Sequence, residues 1–302
     1  ELLKEQIKRL EDKLTKMEEE NDIRRRLETT EEEKSAEDEA ILTAAGRDYT
    51  LMKPGLLGFE YSVRYTGDSY DSVHDRDDVV SVKHNTYHTL TNAFFIEYPV
   101  KENLTMNSNI PFVYKYNSQT SSRAKDVTDF GDVSVGFQYQ PIKSGGTLPS
   151  IILTGNLTCP TGRSPYKIDP EMEVSTGNGV YSLGFGCNMS KSIDPLVAFG
   201  GFNVEHGIER THLNFKPNKS YPENVYIAGV EPGDIFSFSM GIGYSLSYKT
   251  NLTLSYQYSY QTKTYYDWVG DDDVNSEGAI SSVFSVGTGW TLTPKTAINV
   301  RL

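Results

Sequence analysis

From Gly58 to the last residue the chain keeps one beat. Stretches of roughly ten residues, in which apolar and polar side chains alternate, are separated by gaps that run long, short, long, short. Alternation at a period of two marks a strand with one face in an apolar medium and the other in water. A soluble sandwich has no reason to gather its long loops at one end. A membrane β-barrel does, with short turns on the periplasmic side and long loops outside. The beat therefore predicts a wall of strands that reverses at each crossing of a bilayer.

Composition supports the same medium. The 302 residues include 20 Tyr and 13 Phe, yet hydrophobic residues reach only 37%. Rings that carry a polar atom favour the membrane–water boundary. No run approaches the roughly 18 uninterrupted apolar residues of a transmembrane helix, so strands must do the crossing. A net charge of −12 opposes a nucleic-acid partner. The chain opens directly on an amphipathic helix, so a targeting segment is expected to lie upstream or to have been removed.

That opening helix carries a heptad seam. Leu3, Ile7, Leu10, Leu14 and Met17 recur at spacings of four and three, and Asn21 takes the next core position. Lys13 and Glu18 flank Leu14 and Met17 in the arrangement typical of parallel trimers, which predicts a homotrimeric interface over these residues. The seam fails at Arg24, Arg25 and Arg26, an acidic stretch follows, and an apolar patch ends at Gly46, a helix stop. Three regions result: 1–27 as a periplasmic coiled coil, 28–57 as an acidic plug or linker helix with its connector, and 58–302 as the barrel. Composition alone favours a linker, and the polar barrel beginning a dozen residues later argues for a plug.

Within the barrel the first strand sets Phe59, Tyr61, Val63 and Tyr65 against Glu60, Ser62 and Arg64. A long polar gap is read over Gly67 to Asn85, and others over Asn117 to Phe130, Ile208 to Gly233 and Asp267 to Gly278. Leu252, Leu254, Tyr256, Tyr258 and Tyr260 alternate with Thr253, Ser255, Gln257, Ser259 and Gln261. Apolar-out and polar-in is the inverse of a soluble ligand-binding barrel. Eleven strands can be read, and bacterial barrels close on even numbers, so a twelfth is expected. Cys159 and Cys187 fall in phase with apolar neighbours and about seven residues apart in height, too far for a disulfide.

Motifs of chemistry are weak. His84, His88, His206 and His212 show no carboxylate or cysteine at metal spacing in sequence, and Asp271 to Glu277 is half of a calcium loop at best. Triplets at Asn156, Asn218 and Asn251 are read as Asn in turns before Thr-rich strands. With no nucleophile–base pair or phosphate loop, neither an enzyme nor a cofactor or metal site is expected.

Phe130–Gly131–Asp132 opening a strand as Asp–Val–Ser–Val–Gly–Phe, and Leu292 to Thr296 as a late turn, resemble outer-membrane barrels grouped with phenol-degradation pathway proteins and transporter barrels. With a trimerising helix before the barrel, the chain looks like the Fap functional-amyloid secretion pores. That resemblance implies a twelve-stranded barrel, plugged by a helix carrying Glu31, Glu37, Ile41 and Leu42, in a Gram-negative outer membrane. It implies a lumen lined by Glu60, Arg64, Gln138, Gln257 and Lys263, and a secreted, unfolded, amyloid-forming polypeptide as partner. The rivals are a porin or uptake channel for small, including aromatic, solutes, and a structural barrel that anchors a periplasmic coiled coil.

Overall fold

The computed structural model describes residues 31–302 apart from 53, 77–78, 120–122, 144–147, 194–195, 218–220, 248, 272–273 and 294–295. The expected coiled coil, with Leu3 through Asn21, lies outside the described residues.

Antiparallel strands follow one another around a single sheet. The wall begins with β1 (Gly58–Arg76), β2 (Val79–Lys101) and β3 (Leu104–Gln119); a short strand, β4 (Lys125–Phe130), folds back on β3. It continues through β5 (Val133–Ile142), β6 (Ser150–Cys159), β7 (Ser182–Ile193) and β8 (Leu196–Gly207). After β9 (Tyr226–Glu231), which leaves the wall, come β10 (Ile235–Ser247) and β11 (Thr250–Gln261). Two further strands off the wall, β12 (Tyr265–Val269) and β13 (Val274–Asn275), precede β14 (Ala279–Thr293) and β15 (Thr296–Arg301). Eleven strands thus make the continuous path, as the alternation required. Among the described residues β1 pairs only with β2 and β15 only with β14, which leaves one open seam. Arg301 of β15 is nonetheless within electrostatic reach of Glu60 and Arg64 of β1, so the two edges face each other.

The period-two reading of the faces holds. On β10, Phe236, Phe238, Met240, Ile242 and Tyr244 are all exposed, outside the wall, and Ser237 and Ser239 turn into it. Inverted exposure of this kind is stable only in an apolar medium. Thirteen residues at about 3.3 Å each, tilted by about 40°, give about 33 Å along the normal, enough for the hydrocarbon band. Both cysteines are free; Cys187 sits opposite Leu153 and Cys159 opposite Val133, about 20 Å apart along β6.

The long gaps are where the sequence reading needs correction. Gly67 to Asn85 is not a loop: β1 and β2 pair without a break from Gly58↔Glu97 to Arg76↔Val79, forming an arm beyond the membrane band. The Asp residues there obscured Ser, Thr, Tyr and Val at ladder positions, and ladder hydrogen bonds outweigh weak side-chain propensity. Asn117 to Phe130 likewise forms a β3–β4 hairpin. The gaps Ile208 to Gly233 and Asp267 to Gly278, with the residues just before the latter, contribute β9, β12 and β13 to a separate sheet. Val180, Leu213, Ile227 and Val230 make a small core there, flanked by Tyr166, Phe215, Tyr266 and Trp268. These loops form a cap with its own interior.

Candidate functional site

The inward face is polar from strand to strand: Ser62, Asn107, Asn156, Asn203, Ser237 and Gln257 come from six different strands and border one cavity of about 660 Å³. Among the described residues one α-helix, α1 (Glu31–Ala45), occupies part of the space these strands enclose.

Why a helix forms there is local. Ala, Glu, Lys and Leu are good helix formers. Gly46 ends it with φ +154°, and its N–H donates to Leu42 O at 2.9 Å. The helix has no basic residue in its own last turn. The wall supplies one instead: Arg301 Nη2 donates to Ala44 O at 2.8 Å and also to Ala45 O. A cation at orphaned carbonyls is the arrangement the helix dipole favours.

Packing completes the dock. Ile41, 2% exposed, lies against Gly243 of β10, where a Cβ would collide with Ile41 Cγ2. Ala45, Tyr49 and Phe199 form a buried cluster with Leu42 beside it. Tyr49 and Phe199 ring centroids are 4.9 Å apart, and the Tyr49 hydroxyl hydrogen-bonds Ser239 Oγ at 3.0 Å. Asn251 Nδ2 donates to Ala40 O at 3.2 Å.

Of the residues expected to line the pore, Arg64, Gln138 and Gln257 border the cavity, with Gln138 only 2% exposed. Glu60 lies on the same face of β1 as Arg64, within electrostatic reach of Arg301. Lys263 lies past the end of β11, in the cap, with its ammonium 3.3 Å from Glu277. Glu31 and Glu37 belong to α1, Leu42 is half-buried beside the Tyr49 cluster, and Ile41 is buried.

Sequence reasoning missed the residues that hold the helix. Asn251 is within β11, not in a turn, and Arg301 ends β15 with no local signal for its role. Asn156 is also mid-strand, in β6. Two of the four histidines do have a carboxylate, brought from another segment: His84 Nδ1 is 2.7 Å from Asp71, and His206 Nδ1 is 2.7 Å from Asp234. Ser69 Oγ stands 3.1 Å from His84 Nε2. Both His84 and Asp71 are more than half exposed, so water screens this row.

The Phe130–Gly131–Asp132 motif has a structural explanation. Asp132 accepts from Gly162 N at 3.0 Å and Asn178 N at 2.6 Å; Thr161 and Thr176 hydroxyls donate to Gly131 O and Phe130 O. The motif clasps both ends of the β6–β7 loop against the wall. Inside the cap, burial pushes the Tyr166 phenol up to about 12, with the Tyr266 phenol adding to the rise and Arg210 opposing it.

A crystal structure of an outer membrane channel from Pseudomonas putida F1 matches this fold with a TM-score of 0.60, at 15% identity, over 84% of this chain and 89% of that chain. The family described as "Putative MetA-pathway of phenol degradation" matches residues 71–302, from the outer arm of β1 to the last strand, and the chain belongs to that family.

Proposed function

We propose that the protein is an outer-membrane channel that passes small solutes through a polar lumen narrowed by α1. The observation that carries this reading is the cavity of about 660 Å³ that remains beside the docked helix. That is the size of a small-molecule site and too little for an extended polypeptide with its side chains. Asn, Ser and Gln offer hydrogen bonds there, and Tyr49, Phe95 and Phe199 offer rings, a lining that suits solutes with both a polar group and an aromatic body. The description of the family, phenol degradation, is in keeping with such solutes. Transport is passive in this reading, with no catalytic step and no cofactor.

A second reading draws on the way α1 is held. Arg301 on its last carbonyls, Asn251 on Ala40 O, Ile41 at Gly243 and the Ala45–Tyr49–Phe199 cluster are a small set of contacts from which the helix could detach. With α1 withdrawn, the lumen would be wide enough for an unfolded, amyloid-forming polypeptide, exported by a homotrimer joined through residues 1–27.

Planar-bilayer conductance of the full chain and of a variant lacking residues 1–46 separates these. The small-solute reading expects a measurable current in the full chain that aromatic solutes reduce. Current only after deletion supports export through an unplugged pore. No current in either supports a structural anchor and sinks both.

A further inference from the structure

Outside the wall, at the end bearing the long loops, lies a second cavity of about 800 Å³. Its floor is Tyr181 and Ile208. Ile208 N donates to Tyr181 O at 2.7 Å, which continues the β7–β8 ladder one pair beyond Ser182↔Gly207. By that register Tyr181 shares the outer face of Leu183 and Phe185, and Ile208 that of His206 and Val204. Tyr181 and Ile208 are 51% and 40% exposed, and so form the upper edge of the lipid-facing band.

The rest of the lining comes from loops and includes five charged side chains. Arg163, Lys167 and Glu173 belong to the β6–β7 loop, and Glu209 and Arg210 to the chain after β8. Cations outnumber carboxylates here, against the sign of a chain whose net charge is −12. Arg163 Nη2 lies 3.4 Å from Glu173, in a half-exposed pair. Arg210 donates to Gly179 O and reaches Ser164 Oγ at 3.5 Å, which fixes its guanidinium at the cavity edge. Lys167 has no ion pair among the described residues.

An apolar floor continuous with the hydrocarbon band, beneath a cationic rim, matches one kind of molecule. We propose that this cavity binds the phosphate-bearing headgroup of an outer-leaflet lipid. Its acyl chains lie along Tyr181, Leu183 and Phe185, and the phosphate meets Lys167 and the outer edges of Arg163 and Arg210. Guanidinium groups bind phosphate through paired N–H donors, and an ammonium serves as a mobile point charge. Tyr at the boundary accepts chain contact on its ring while its hydroxyl stays wet. Glu173 competes with the phosphate for Arg163, so the site has a built-in antagonist. The site depends on immersion of the wall in a bilayer and is independent of what the lumen carries, so the conductance experiment tests the channel separately.

The test uses the full chain in nonionic detergent, followed by native mass spectrometry with micelles doped with bis-phosphorylated lipid A or its dephosphorylated form. The phosphorylated lipid is expected to remain as a one-to-one adduct at least about tenfold more than the dephosphorylated one. Lys167→Gln and Arg163→Gln should each weaken retention by about tenfold, and Glu173→Gln, by releasing Arg163, should strengthen it. Heat-modifiable gel mobility reports that each variant remains folded. Equal retention of both lipids would reduce the cavity to part of the ordinary lipid annulus and overturn the proposal. So would competition by millimolar inorganic phosphate, which identifies a soluble-anion site, or a Glu173→Gln variant that binds no better.

Discussion

Gly243 and Ile41 show how much depends on a single missing Cβ. The helix reaches the wall because β10 presents no side chain at that point, and Ile41 fills the space. Gly243→Val should displace α1 without touching the wall's outer face, and Ile41→Ala should weaken docking by roughly 2–4 kcal/mol. Both are expected to raise single-channel conductance, and an unchanged current in both would show that α1 does not limit the bore. Tyr166 belongs to the same scale. Its phenol is held near 12 in the cap against 10.0 in the unfolded chain. The folded cap therefore keeps a proton that the unfolded one releases, and its stability is intact below pH 10 and falls as pH rises toward about 12. Thermal unfolding between pH 9 and 12 should show a steeper alkaline decline in the wild type than in Tyr166→Phe; equal slopes would contradict the assignment.

At the scale of elements, α1 borrows its C-terminal cation from β15. Arg301→Gln keeps some hydrogen-bonding capacity and loses the charge, so the last turn should lose about 1 kcal/mol and amide exchange from Ala44 to Tyr49 should quicken. Protection equal to wild type would mean that Ile41 and Tyr49 suffice. The strands themselves were legible because the bilayer enforces the period-two pattern at every crossing. The arm of β1 and β2 beyond the membrane was not, since water on both faces removes that pattern while the ladder continues. The same reason hid β4, β9, β12 and β13. The end of α1 at Gly46 could be read from its sequence, but its partners Asn251 and Arg301 could not.

For the whole molecule, medium decides what a substitution costs. Met240→Arg places a charge near mid-height on the lipid face and should cost roughly 2–4 kcal/mol of folding stability in lipid. Ser255→Arg, at nearly the same height but facing the lumen, should leave stability within about 0.5 kcal/mol and shift ion selectivity toward anions. Denaturant titration in vesicles and reversal potentials measure the two, and similar stability losses would mean that the faces are misassigned. What the sequence determined by itself was the solvent on each side of the wall, since a two-residue period needs only the local chain and its surroundings. The docking of α1 in the lumen, the cap with its own core and the cationic rim were decided by tertiary structure alone. Each brings together residues far apart along the chain, as with Arg301 and Ala44, and no local pattern encodes a contact whose two halves are read separately.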